Sequence, residues 1–351
     1  MPPKKAAKGA KKGKGGASAE EQLAKQLAAV KAFQKSHAAA SQLYGVEPLG
    51  ISVGGGESAF GRAVVGPHLS TEKSAVTPLH VRALLEGFSG AGYTYLQTLA
   101  LWNVPLGDDG CWYVCQYLKS RLCSLKSLEM NDCGVGPLGC KALGEVLEAN
   151  TNSSLLRLRL DMNAFGDAGA LQIGASLPGS KTLTALSMEY CGLTEEAGAI
   201  LTAGVLRLPT LSSLDLRGNA LGVGVAALLR GLVNPMHAAM THLGFADTSC
   251  AIEGEVREAL TACVEGNDLM GSFDLRNNPI GDTTAYHYAT LFKTEATHVH
   301  VFEVSETTLF GPLDPLLYKQ LYSVTGSNHK EWLKAQKKKG KGGKKGGKKK
   351  K

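Results

Sequence analysis

Leu155-Leu156-Arg157-Leu158-Arg159-Leu160-Asp161-Met162-Asn163-Ala164-Phe165 is the stretch on which the fold turns. Its apolar residues at 155, 158 and 160, asparagine at 163 and phenylalanine at 165 follow the template L-x-x-L-x-L-x-x-N-x-L. The L-x-L alternation is that of a short strand with its apolar side chains on one face. The asparagine at the ninth place can satisfy backbone groups in the turn that leaves the strand, which stacking would otherwise bury unpaired. Working outward, the template begins again at Leu125 and Leu96 on one side, and at Leu183, Leu211, Met240, Met270 and Val299 on the other. A period held this closely along the chain is the mark of stacked repeats.

The ninth place is filled by Val104, Cys133, Asn163, Cys191, Asn219, Thr248, Asn278 and Thr307, small polar or sulfur side chains in all but the first copy. Each strand runs into a turn such as Leu106-Gly107-Asp108-Asp109-Gly110 or Phe165-Gly166-Asp167-Ala168-Gly169, then into a helix. Cys140 to Leu147, with leucines at helical spacing, is one of these helices. The expected fold is therefore an α/β solenoid, a horseshoe of about eight strand-turn-helix repeats over residues 93–325. Parallel strands line its inner surface and helices its outer one. The period, the full helix and the Leu-Gly-Asp-Asp-Gly turn resemble the ribonuclease-inhibitor-like subclass of leucine-rich repeats. That resemblance implies a curved binding platform but no particular ligand, because one fold carries many functions.

Outside the repeats the composition changes abruptly. Residues 1–17 carry Lys4, Lys5, Lys8, Lys11, Lys12 and Lys14, and residues 334–351 carry Lys334, Lys337, Lys338, Lys339, Lys341, Lys344, Lys345, Lys348, Lys349, Lys350 and Lys351. Neither segment has an acid, so the chain between them holds 21 basic against 31 acidic residues, a net charge near −10 inside a total of +7. Segments of lysine and glycine bury nothing and are expected to be disordered tails that seek an anionic surface. They lack aromatic residues for base stacking, which favours charge neutralisation over sequence reading. Ser18-Ala19-Glu20-Glu21 fits a capping box, and Leu23, Leu27, Val30 and Phe33 predict a helix over 18–43. That helix either packs on the solenoid end or docks a partner. Residues 44–92 are expected to be an N-terminal cap, with Thr77-Pro78 opening a helix from Leu79 to Phe88 but no clear strand before it. A short helix leads into the basic tail over 326–351.

The start of the chain predicts no secretory signal, and the eight cysteines, without a CxxC pair, predict buried thiols in a reducing compartment. Gly54 to Ala63 falls short of a phosphate loop, since Arg62 and Ala63 stand where lysine and serine or threonine are needed. Cys111 with Cys115, and His298 with His300 on an expected strand, offer at most two ligands each, too few for structural zinc. No catalytic constellation, metal or cofactor is expected, and the chain reads as a non-enzyme.

The fifth and seventh residues of each repeat are expected to face the concavity. With their neighbours they nominate Trp102, Glu129, Asn131, Arg159, Asp161, Met162, Glu189, Tyr190, Asp215, Arg217, Asp274, Arg276 and Glu303 as the surface for a protein ligand. The mixed but acidic set suits a protein better than a phosphate backbone, and the tryptophan, tyrosine and arginines are common interface anchors. The expected function is a protein-interaction scaffold in a large assembly, cytoplasmic and cytoskeletal, with lysine arms on an acidic surface such as the tails of tubulin. The outline resembles leucine-rich-repeat proteins of ciliary and flagellar axonemes. Two alternatives are a nuclear or ribosome-associated scaffold that binds nucleic acid, and a small-GTPase regulator or enzyme inhibitor acting through the concave face.

Overall fold

The computed structural model describes residues 19–51, 59–69, 75–149, 154–233, 239–308 and 311–342. Nine strands form one parallel sheet in chain order: β1 (Arg62–Val65), β2 (Thr98–Trp102), β3 (Ser127–Asn131), β4 (Arg157–Arg159), β5 (Ala185–Ser187), β6 (Ser213–Asp215), β7 (His242–Gly244), β8 (Ser272–Asp274) and β9 (Val301–Glu303). Their register superposes like on like: Leu99, Leu128, Leu158, Leu186, Leu214, Leu243, Phe273 and Phe302 form one buried column. Helices return the chain from each strand to the next: α2 (Pro78–Gly90), α3 (Gly107–Leu118), α4 (Pro137–Glu148), α5 (Gly166–Ser176), α6 (Glu195–Val205), α7 (Gly224–Gly231), α8 (Gly254–Gly266) and α9 (Asp282–Thr294). Each helix packs on its neighbours, so one core runs the length of the solenoid.

The ninth residues build the ladder that holds the turns together, and it has a period of two repeats. Asn163 accepts the backbone N–H of Cys133 and of Val135 on Oδ1, both at 3.0 Å, while its Nδ2 donates to the Met130 and Leu160 carbonyls at 2.7 Å. Asn219 does the same for Cys191 and Leu193, and Asn278 for Thr248 and Cys250. Each wholly buried carboxamide thus serves its own turn and the preceding one, where a small cysteine or threonine leaves it room.

Two expectations about the repeats need correction. The cap holds a ninth repeat, not a helix without a strand: Phe60, Ala63 and Val65 stand in the leucine positions and are buried, and β1 pairs with β2. At the other end Thr307 does not join the turn ladder. It lies exposed in a two-stranded hairpin, β10 (Thr307–Thr308) with β11 (Gly311–Pro312), because no further repeat follows to be bridged.

Both ends of the core are covered by helices. α1 (Ala19–Tyr44) buries Val30, Phe33, His37 and Ser41 against α2, with the Phe33 ring stacked on Phe88 at 4.2 Å between centroids. Of the two roles expected for this helix, packing on the solenoid end is the one seen, although Leu23 and Leu27 in its first half stay exposed. Ser18, the expected cap, lies outside the described residues. At the far end α10 (Pro315–Gly342) packs on α9 and β9. Asn328 donates to the Phe292 and Val299 carbonyls, and the Trp332 ring stacks on His300 at 4.6 Å. This helix is longer than expected: it continues through Lys334, Lys337 and Lys338 to Gly342, into a stretch read from composition as disordered. Anchorage at Asn328 and Trp332 nucleates a helix that lysine, a good helix former, then extends.

Candidate binding surface

The parallel register sets the fifth residues of the repeats side by side: Glu129, Arg159, Ser187, Asp215, Gly244, Asp274 and Glu303. Strands in such a sheet lie about 4.8 Å apart, close enough for side chains of neighbouring repeats to pair. Arg159 reaches Asp161 at 2.7 Å and Glu189 at 3.6 Å, and Arg276 reaches Asp274 at 2.5 Å and Glu303 at 3.2 Å. Both arginines keep nearly half their surface in solvent, so each pair contributes little to stability and remains open to exchange.

Asp161 departs from its expected role. It is only 3% exposed, and besides Arg159 it takes the Ser187 hydroxyl and the Glu189 backbone N–H. It holds the surface in shape rather than facing a partner. The remaining nominated residues sit on the surface, half-buried or exposed. Arg217 donates its backbone N–H to Asp215, and its buried Nε has no partner among the described residues.

Charge is distributed unevenly along the face. Burial, reinforced by Asp215 and Asp161, lifts the Glu189 carboxyl above its ordinary range, and burial lifts Asp215 likewise. Burial also opposes the charge of Asp274, but the Arg276 hydrogen bonds outweigh it and hold that carboxyl low. In the middle of the arc Asp161 and Glu189 share Arg159 and Asp215 makes no ion pair among the described residues, whereas at the far end Asp274 and Glu303 share Arg276.

Sequence reading missed the eighth residue of each repeat as a class. Asn103, Asp132, Met162, Tyr190, Gly218, Asp247 and Asn277 all have φ between +51° and +70°. Six of the seven turns use it alike: the eighth N–H donates to the seventh carbonyl of the next repeat, as from Met162 to Glu189 at 2.7 Å and from Tyr190 to Arg217 at 2.8 Å, while Asn277 donates to the Ser305 hydroxyl. Five of the seven are Asn, Asp or Gly, the residues that tolerate a left-handed backbone. Met162 and Tyr190 are the exceptions, 54% and 41% exposed, and Trp102, one place earlier in its repeat, is 59% exposed. The Tyr190 ring lies over Gly218, where a Cβ would come within 2.2 Å of it, so a glycine there is what lets the ring lie flat.

Other candidates are structural. Ala63 is a buried β1 residue, not part of a phosphate loop. Cys111 and Cys115 are core thiols; burial pushes the Cys140, Cys191 and Cys263 thiols up to about 12 and Cys133 and Cys250 to about 11. His298 and His300 precede β9 rather than lying on it, and the His300 ring is taken up by Trp332. Among the described residues no group of three or more His, Cys, Asp or Glu could hold a metal ion, and no helix is long and apolar enough to cross a membrane. Lys334 pairs with Glu331 at 2.6 Å, and Lys337 and Lys338 are exposed on α10. Side chains of Lys339 and Lys341, and all of Lys4, Lys5, Lys8, Lys11, Lys12, Lys14, Lys344, Lys345 and Lys348 to Lys351, lie outside the described residues.

The Leucine Rich repeat family model matches residues 121–144 and 151–174. Ribonuclease inhibitor of Sus scrofa is 31% identical over 192 residues, 54% of this chain and 41% of that protein. NACHT, LRR and PYD domains-containing protein 12 of Mus musculus is 32% identical over 212 residues, 58% of this chain and 20% of that protein. NACHT, LRR and PYD domains-containing protein 5 of Homo sapiens is 34% identical over 185 residues, 52% of this chain and 15% of that protein. The chain spans less than half the length of each of these relatives.

Proposed function

We propose that the chain is a non-catalytic scaffold of the ribonuclease-inhibitor-like leucine-rich-repeat kind, with two separate binding surfaces. The inner face of the horseshoe takes a protein ligand. The lysine-rich ends fasten the body to an anionic protein surface, the acidic tails of tubulin in a ciliary or flagellar axoneme. The observation that carries this division is the segregation of charge: seventeen lysines in the two end segments, none of them beside an acid of the same segment, against a body with ten more acids than bases. A relative whose name is ribonuclease inhibitor fits a binding role for such a body. Weak contacts at two ends and one concave site would reinforce one another through effective concentration.

Co-sedimentation of the full chain with microtubules, at two salt concentrations and with intact or subtilisin-trimmed tubulin, tests the anchoring. Binding should fall steeply with salt and with removal of the tubulin tails, because exposed charge pairs are screened. Binding unchanged by trimming, or outcompeted by RNA at lower concentration than by free acidic peptide, would refute the tubulin reading and support the nucleic-acid alternative.

A further inference from the structure

Seven repeats show a left-handed residue at the eighth place, and five fill it as the backbone prefers. Met162 and Tyr190, in adjacent repeats, do not. A left-handed conformation disfavours a side chain with a Cβ, and neither long side chain is buried in compensation, since both stay largely exposed. The neighbouring repeat has Gly218 at the same place, and the Tyr190 ring lies across it, held flat at the edge of the sheet. Glu189 adjoins Tyr190 in the chain and feels the charges of Asp215 and Arg217, and the Arg159–Asp161 pair stands in the preceding repeat.

We infer that Met162 and Tyr190 form a built apolar lip which, with Glu189 and Asp215, captures an extended segment of a partner protein that alternates apolar and lysine or arginine side chains. This rests on the concave-face reading above and names the chemistry of its ligand. The apolar side chains of the segment lie on the Met162 thioether and the Tyr190 ring. Its cations meet carboxylates that the surface leaves incompletely neutralised: Arg159 is shared between Asp161 and Glu189, and Asp215 makes no ion pair among the described residues. An acidic segment is disfavoured by the same cluster, since three carboxylates face two guanidiniums.

Two measurements on the full chain test this. A dye-labelled peptide of alternating leucine and lysine, with alternating leucine and glutamate as control, is titrated and followed by fluorescence anisotropy. The lysine peptide should bind, the glutamate peptide should not, and Met162→Asn, Tyr190→Asn and Glu189→Gln should each weaken binding by about five- to tenfold. Thermal unfolding of Met162→Asn should rise by about 1–3 °C, because asparagine accepts the left-handed backbone that methionine resists. Equal binding to the three variants, preference for the glutamate peptide, or a lower midpoint for Met162→Asn would each overturn the inference. Binding lost with Asp274→Asn but untouched at the lip would overturn the lip alone and leave the concave-face reading standing. Binding indifferent to every inner-face substitution would end both.

Discussion

Replacing Asn163 by alanine probes the solenoid at its most interdependent point. The carboxamide is wholly buried and makes four short hydrogen bonds, two accepted from the Cys133 and Val135 amides and two donated to the Met130 and Leu160 carbonyls. Alanine leaves two buried N–H groups with no acceptor, each costing about 1–3 kcal/mol. The two carbonyls suffer less, because each keeps a second lone pair for other donors. The void adds a smaller term, since the side chain is small and polar. A loss of about 3–5 kcal/mol follows, a large part of the 5–15 kcal/mol typical of a domain. Urea unfolding followed by far-ultraviolet circular dichroism measures it. Because repeats contact only their neighbours, hydrogen exchange should show the damage concentrated in residues 125–170. Asn163→Asp should be no better, since a carboxylate would face two carbonyls and donate to neither. A loss under 1 kcal/mol for Asn163→Ala would refute the ladder as the element joining the repeats.

Three further outcomes follow from particular contacts. Gly204→Ala should destabilise by about 1–3 kcal/mol and loosen α5 from α6, since its Cβ would come within 2.0 Å of the Gly174 carbonyl oxygen; chemical unfolding of the pair of proteins checks this. His37 is buried against α2 and its Nε2 lacks a partner among the described residues; burial and then the nearby His80 hold its pKa below the ordinary 6.5. The unfolded chain therefore takes up a proton near pH 6.5 that the folded chain refuses. Stability is full above that pH and declines as pH falls towards the folded value, so melting at pH 7.5 and 5.5 should differ, and His37→Leu should reduce the difference. The seven buried thiols should react with Ellman's reagent only on unfolding, because burial denies the reagent access to them.

How much of this was legible in the sequence depended on whether a feature was periodic. The leucine columns and the ninth-residue ladder repeat every 28 to 30 residues, so local reading found them and placed their strands. The first repeat escaped because Phe60 and Ala63 occupy leucine positions, and because a longer connection separates it from Leu96. Thr307 matched the template yet joined a hairpin, since the ladder needs a following repeat and none comes. The end of α10 was misjudged because composition alone could not reveal that Asn328 and Trp332 fasten the helix to β9 and so extend it into lysine-rich sequence. On the binding surface, alternation identified which residues face inward but not which are engaged, so Asp161 looked available although Arg159, Ser187 and Glu189 surround it. The eighth-place pattern of Asn, Asp and Gly was visible in the sequence. Its meaning, and the oddity of Met162 and Tyr190, needed backbone angles.

Microtubule co-sedimentation of two variants side by side bears most directly on the division between a concave protein site and a basic anchor. Lys334→Glu, Lys337→Glu and Lys338→Glu are combined in one protein, and Tyr190→Asn is made in another. The triple variant should pellet measurably less while still binding the leucine–lysine peptide, and Tyr190→Asn should pellet normally while binding the peptide about five- to tenfold more weakly. Pelleting lost with Tyr190→Asn and retained by the triple variant would contradict that division.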